Sequence, residues 1–296
     1  MIQITELRKS FGSQVAVDGV SFQLLKGETF GLLGPNGAGK TTTINMIVGI
    51  LQPDSGEIGF AEGLNPRVAA VRRAIGVAPQ SLALYTELTA QENLQFFARL
   101  YGMRGAQLKE RVQWSLEFAG LTDRKRDRVK TFSGGMQRRL NLAAAIVHDP
   151  RVIFMDEPTV GVDPQSRNHI FDAIEDLKRQ GRTIIYTTHY MEEAQRLCDR
   201  VAIMDHGKIL DLDSVDALID RHGGRSVVKA DLQRLPADIQ SLPAPLDGLS
   251  LRFETERPLE EIAKLSSGGV AFQTLELTEP DLETVFLTLT GRSLRD

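Results

Sequence analysis

Hydrophobic positions follow a period of two at the start of the chain, then unbroken apolar runs, then a helical period. The order in which these rhythms recur sets the expected fold. Ile2-Gln3-Ile4-Thr5-Glu6-Leu7 alternates apolar and polar residues, which predicts a strand with one buried face. Residues 15–24 form a second strand region, closed by the Lys26-Gly27-Glu28 turn. Residues 29–33, 75–78, 152–155, 183–187 and 201–204 are short, continuous runs rich in apolar and β-branched residues. Such runs suit the strands of a parallel sheet covered on both faces. Pro53-Asp54-Ser55-Gly56 is turn chemistry ahead of a further strand over 57–60.

Residues 85–132 depart from this alternation and read as a helical insert. Thr89-Ala90-Gln91-Glu92 is a capping box. It opens a helix whose apolar face carries Leu94, Phe96, Phe97 and Leu100 and which Gly102 and Gly105 stop. A second helix over 108–118 turns Val112 and Leu116 inward, with Ala119 beyond it. A third runs through Leu140, Ala143, Ala144 and Val147, which extends the helical subdomain to about 85–147. Asp163-Pro164 places an acid at a helix cap and proline in its first turn, and that helix ends near Gly181. His222-Gly223-Gly224 reads as a linker. Beyond it, prolines at 236, 243, 245 and 258 divide strand candidates over 227–230, 249–253 and 270–275 from helix candidates over 258–265 and 280–289. The expected organisation is a large domain over 1–222 and a small α+β accessory domain over 225–296.

Composition narrows the function classes. Of 296 residues, 42% are hydrophobic and 25% charged, as in ordinary soluble domains. No apolar run approaches the ~20 residues that span a bilayer, and the N-terminus lacks a secretory pattern. The expected location is therefore cytoplasmic, peripheral to a membrane through a partner. Cys198 is the one cysteine, which excludes an internal disulfide and a cysteine-rich metal site. The net charge of −4 sits in the tail: residues 225–296 hold 8 basic and 12 acidic residues, leaving 27 of each elsewhere. A nucleic-acid binder shows a basic excess on one domain, and none is visible. The local cluster Arg124-Lys125-Arg126-Asp127-Arg128-Val129-Lys130 reads first as a solvated polar loop.

The chemistry begins at Gly34-Pro35-Asn36-Gly37-Ala38-Gly39-Lys40-Thr41-Thr42, which fits G-x-x-x-x-G-K-[ST] between a strand and a helix. Glycines there let successive N–H groups point into one concavity, and the helix start favours anions. Lys40 can reach the β- and γ-phosphates, and the Thr41 hydroxyl can ligate Mg²⁺. Val152-Ile153-Phe154-Met155-Asp156-Glu157 is an apolar strand ending in two acids. Asp156 is placed to hold the metal, and Glu157 turns towards an attacking water.

Phe132-Ser133-Gly134-Gly135-Met136 resembles the signature sequence of ATP-binding cassette (ABC) proteins, with methionine where glutamine is usual. Around it, further positions match that family in order. Phe11 stands where an aromatic ring stacks on adenine, and Gln80 stands in the Q-loop. Val160-Gly161-Val162-Asp163 forms the D-loop, without its common Ala-Leu pair, and His189 is at the switch-histidine position. The resemblance spans residues 1 to about 215. It implies a P-loop NTPase cassette of α/β class: a RecA-like, mostly parallel core, an antiparallel β subdomain, a helical subdomain, and here a small C-terminal α+β domain. It also implies ATP and Mg²⁺ as ligands and a head-to-tail homodimer. In such a pair, Ser133, Gly134, Gly135 and Asp163 of one chain would close on ATP held by the other chain's phosphate loop. Glu157 would polarise water, His189 would bind the γ-phosphate, and Gln80 would reach Mg²⁺ or the water.

The closing segment, residues 278–292, is similar to the tail of the daunorubicin and multidrug-resistance branch, whose ABC-2 type permeases are separate chains. That resemblance implies the ATPase subunit of an exporter. Import, or work on nucleic acid or the ribosome, are the alternatives. The last is disfavoured by the single cassette and the lack of a long heptad run.

Overall fold

β1 (Ile2–Phe11) pairs antiparallel with β2 (Gln14–Leu24) on one side and with β4 (Ser55–Phe60) on the other, giving a three-stranded sheet. The alternation read in the sequence sends Ile2, Ile4 and Leu7 inward, all essentially inaccessible. A computed structural model describes residues 2–60, 69–236, 238–239 and 242–291. Arg292, at the end of the tail motif, lies outside the described residues.

The second sheet carries the apolar runs. β3 (Thr29–Leu33) lies between β7 (Thr183–Thr188) and β8 (Arg200–Asp205), and β7 leads outward through β6 (Val152–Asp156) to β5 (Ile75–Ala78). These five strands are parallel. β9 (Lys208–Ser214) adds an antiparallel edge to β8. Its sequence, KILDLDS, alternates acids with leucines in a turn-rich neighbourhood, so the strand is decided by its pairing with β8. α1 (Lys40–Ile47) follows β3. Its Ile44, Met46 and Ile47 join the inner residues of β1 and β2, Phe30 of β3 and Phe154 of β6 in one core between the sheets.

The helical insert builds its own core. α3 (Ala90–Leu100), α4 (Gly105–Phe118) and α5 (Gly134–Ile146) bring Leu94, Val112, Leu116, Leu140 and Ala143 together. The capping box is present: Thr89 accepts from the Glu92 N–H, and Glu92 accepts from the Thr89 N–H at 2.8 Å. The basic cluster is a polar loop tied to acids, with Lys130 Nζ 2.8 Å from Glu87 Oε2 and Arg124 paired to Asp127. Lys130 holds the Glu87 carboxyl below the usual range. α2 (Ala69–Arg72), α6 (Pro164–Arg179) and α7 (Met191–Leu197) lie outside the insert and complete the helices of residues 69–215. Asp163 caps α6, accepting from the Ser166 N–H at 2.9 Å with Pro164 in the first turn.

Backbone packing divides the chain between Val215 and Asp216, so nearly all of α8 (Val215–His222) groups with the smaller unit. That unit holds β10 (Ser226–Leu232), β11 (Leu246–Asp247), β12 (Ser250–Thr255), α9 (Pro258–Ser267), β13 (Phe272–Thr278) and α10 (Leu282–Thr290). Its antiparallel sheet has the order β11-β12-β10-β13. One face is covered by α9 through Val228, Phe253 and Leu265. The last strand begins two residues later than the apolar pattern implied, because Val270 is buried in the turn after α9. Among the described residues, no helix is long and apolar enough to cross a membrane.

Candidate functional site

The carboxyl ends of β3, β6 and β7 meet at one edge of the parallel sheet, where ligands bind in open α/β sheets. Register brings the relevant residues level: Leu32 stands opposite Thr187, and Thr187 opposite Asp156. The loop from Gly34 to Gly39 leaves β3 here and delivers α1. Gly39 is the cap of α1 with φ of 104°, and a Cβ at that position would overlap the Ala16 carbonyl. Glycine is therefore required for both backbone angle and space.

Lys40 is buried and curls back over this loop. Its Nζ donates to the carbonyls of Gly34 at 2.8 Å and Pro35 at 3.1 Å, and lies 3.2 Å from Glu157 Oε1. The Ala38 N–H donates to the Pro35 carbonyl, which tightens the turn. The Thr41 hydroxyl donates to Asp156 Oδ2 at 2.8 Å, while Asp156 Oδ1 accepts from the Thr187 hydroxyl at 2.6 Å. Gln80, just after β5, donates to Glu157 Oε2 at 3.0 Å. His189 Nδ1 lies 3.4 Å from Glu157 Oε1, and its ring packs 4.1 Å from that of Tyr190. A cleft of about 480 Å³ opens over this group, walled by Asn36, Gly37, Gly39, Lys40, Thr41 and Thr42 together with Phe11, Gln80 and Glu157. Phe11 is half exposed, so a ring face is available to a planar ligand.

Glu157 has φ of 46°, one of four non-glycine residues with positive φ among those described. Non-glycine residues in this region are strained and cluster at functional sites. Its N–H is held by the Thr187 hydroxyl at 3.0 Å.

A second group of expected residues lies apart from the walls of this cleft. Ser133 caps α5, its hydroxyl accepting from the Met136 N–H at 3.2 Å. Gly134 is exposed, and a Cβ there would meet only the Gly161 carbonyl oxygen, at 4.0 Å. Gly135 packs against α6, where a Cβ would stand 2.6 Å from Asp163 Oδ2. The Ser166 N–H holds the Asp163 carboxyl below the usual range. The structure thus assembles Phe11, Gln80, Lys40, Thr41, Asp156, Glu157 and His189 at one place. Ser133, Gly134, Gly135 and Asp163 assemble at another.

Three residues escaped sequence reasoning. Thr187 bridges Asp156 and Glu157 but reads only as a strand residue. Glu193 of α7 is buried, and its Oε2 accepts from Thr159, Tyr186 and Thr188 at 2.9, 2.7 and 3.0 Å, while Arg167 pairs with its Oε1 at 3.0 Å. Burial raises the Tyr186 phenol well above its ordinary value. Arg138 of α5 is also buried, and a charge in a helix normally signals the solvated face.

The oxygen donors fit a small hard cation. The Thr41 hydroxyl and a buried Asp156 carboxylate 2.8 Å apart suit Mg²⁺, which takes few protein ligands and shares substrate phosphates and water. No cluster of three or more acids, histidines or cysteines able to hold a metal occurs among the described residues.

Known proteins resemble this chain in sequence and fold. The family model described as ABC transporter matches residues 17–160. The linearmycin resistance ATP-binding protein LnrL of Bacillus subtilis (strain 168) is 42% identical over 313 aligned positions, covering all of both chains. The Nod factor export ATP-binding protein I of Rhizobium sp. (strain N33) is also 42% identical, covering 99% of this chain and 98% of its own. Among solved structures, an ATP binding subunit of an ABC transporter superposes with a TM-score of 0.68 at 29% identity, over 75% of this chain and 93% of that one. The ATP-binding cassette MJ0796, in a dimeric post-hydrolysis state bound to ADP and Pi, gives 0.66 at 25% identity, over 72% of this chain and 98% of its own. Matched along its whole length by relatives 42% identical to it, the chain belongs to the ABC transporter family, as an ATP-binding subunit with ATPase activity.

Proposed function

We propose that this chain is the ATPase subunit of an exporter, working as a head-to-tail homodimer on a separate permease of the ABC-2 type at the cytoplasmic face of the membrane. The observation that carries the pairing is the separation of the two residue groups. The cleft holds everything needed to grip a triphosphate, yet Ser133, Gly134 and Gly135 sit at the start of α5, outside its walls. A second copy would bring those groups to the phosphates. Export is supported by the relatives, whose names describe linearmycin resistance and Nod factor export, and by the tail over 278–291.

In this reading Phe11 stacks on the adenine. Backbone N–H groups of 36–41 and Lys40 bind the phosphates, whose oxygens compete with Glu157 for the Lys40 ammonium. Thr41, Asp156 and Gln80 would hold Mg²⁺, which supplies charge neutralisation at the β- and γ-phosphates. Glu157, released from Lys40, orients and polarises water as general base. His189, now beside Glu157, takes a γ-phosphate oxygen and keeps that geometry. The Gln80 loop and the exposed Tyr85, propped on Phe96 with ring centroids 4.8 Å apart, would receive the permease, with Leu84 and Leu88 as neighbours. No direct nucleic-acid contact is expected. The smaller unit would steady or regulate the pair.

The test is light scattering of a Glu157→Gln variant with ATP and with ADP. The expected result is a dimer with ATP and a monomer with ADP. A monomer in both, with nucleotide bound, refutes the pairing. Permease coupling is tested by co-reconstituting the chain with a candidate ABC-2 type permease in liposomes, where ATP turnover should rise.

A further inference from the structure

Arg138 lies on α5, five residues after the Ser133 cap, where the helix turns from the signature segment into the core. It is almost wholly buried, and its guanidinium meets only main-chain carbonyls. Nε donates to the Pro158 carbonyl at 2.9 Å. One terminal nitrogen donates to Pro79 at 3.2 Å and to Gln80 at 2.6 Å. The other donates to the carbonyl of Glu157. Four carbonyls from two separate loops therefore converge on one side chain. Burial pulls the guanidinium below the ordinary arginine range, opposed by the charges of Asp156 and Glu157.

Those two loops carry Gln80 and Glu157, which are themselves joined side chain to side chain at 3.0 Å. Glu157 is the residue with strained, left-handed backbone. Thr187 holds its N–H, and Arg138 holds its carbonyl and the next one. A planar fork of donors fixes both peptide planes at once, which a lysine ammonium or an amide could not do.

We propose that Arg138 is a positioning residue for hydrolysis, setting the backbone of Glu157 and the Gln80 loop and tying both to the helix that begins at the signature. The inference rests on the proposed role of Glu157 as general base. Because α5 starts at Ser133–Gly135, Arg138 is a rigid link between the surface that would meet a second copy's nucleotide and the water-activating group of the same chain. Misplacing Glu157 slows chemistry without touching the phosphate grip, since Arg138 makes none of the hydrogen bonds of Lys40 or Thr41.

Arg138→Met, Arg138→Gln and Arg138→Lys are to be compared with the unaltered full-length chain by steady-state ATP hydrolysis and by binding of a fluorescent ATP analogue, with Glu157→Gln run alongside. In the Met and Gln variants kcat falls about 30-fold or more while KM and nucleotide affinity stay within about threefold. The Lys variant falls in between. Arg138 variants that hydrolyse within threefold of the unaltered chain while Glu157→Gln is inactive overturn the proposal. So does a kcat loss matched by an equal loss of nucleotide affinity in all three variants, which would make Arg138 a general packing residue. Retained hydrolysis in Glu157→Gln would instead sink the reading of Glu157 itself.

Discussion

At the phosphate loop, side chains from four elements bond to one another; at the start of α5, they bond only to their own helix ends. Lys40, Thr41, Gln80, Asp156, Thr187, Glu157 and His189 form a closed web around the cleft. Ser133 and Asp163 each cap a helix, accepting N–H groups of Met136 and Ser166, and Gly134 is exposed. In the proposed reading the first region holds the nucleotide and does chemistry on it, and the second presents a rigid helix start to a second copy of the chain. Binding should therefore depend on the first alone, and closure on both.

The largest expected effect lies at the web. Glu157→Gln keeps the residue's size and removes its charge, so phosphate release should fall by two orders of magnitude or more, about 3 kcal/mol of barrier. Titrating a fluorescent nucleotide should show affinity undiminished, because Lys40 loses a competitor. A variant that still turns over at near the original rate would erase the distinction between the regions.

Acid should also act on a residue that belongs to neither region. His148, behind α5, stacks on Tyr101 at 3.5 Å and meets the Ile75 carbonyl at 3.0 Å. Burial drives its pKa from 6.5 down to about 4. The unfolded chain then takes up the proton first. The stability held by the neutral ring is complete above pH ~6.5 and is lost as pH falls towards 4, up to about 3 kcal/mol. Urea titrations at pH 7.5 and 5 should show this loss, and His148→Gln should reduce its pH dependence.

Next comes the signature corner. In Gly135→Ala the new methyl would press on Asp163 and Ser166, shifting α5 against α6 at a cost of about 2 kcal/mol. Turnover should fall about tenfold or more while single-chain nucleotide affinity holds within about threefold. Equal losses in both would mean that the two regions form one site within the chain. The smallest effect is a control: Thr89→Ala removes the capping box of α3 and should lower stability by about 1 kcal/mol with nucleotide binding unchanged, by thermal melting and titration.

How far each region could be read from sequence follows from what makes a residue visible. Lys40, Thr41, Asp156 and Glu157 stand at glycine spacings or at the end of an apolar run, and the structure brings them together. Continuous apolar runs likewise marked the parallel strands. Arg138 and Glu193 were invisible because a charged residue in a helix ordinarily faces water, and only long-range packing shows that carbonyls or hydroxyls surround them. β9 was missed because its acids mask an edge strand whose pairing with β8 is decided by the neighbour. The separation of the signature corner from the cleft is a fact of three dimensions, carried by the path of the helical insert.

Mixing two impaired variants tests the central claim most directly. Lys40→Ala damages the cleft and leaves the signature corner intact; Gly135→Ala does the reverse. In a head-to-tail pair of one of each, one composite site is whole, so combining the two proteins at equal concentration should restore turnover to about a quarter of the original rate. No recovery on mixing, with both proteins folded and Gly135→Ala still binding nucleotide, would show that each chain completes its own site and would contradict the account.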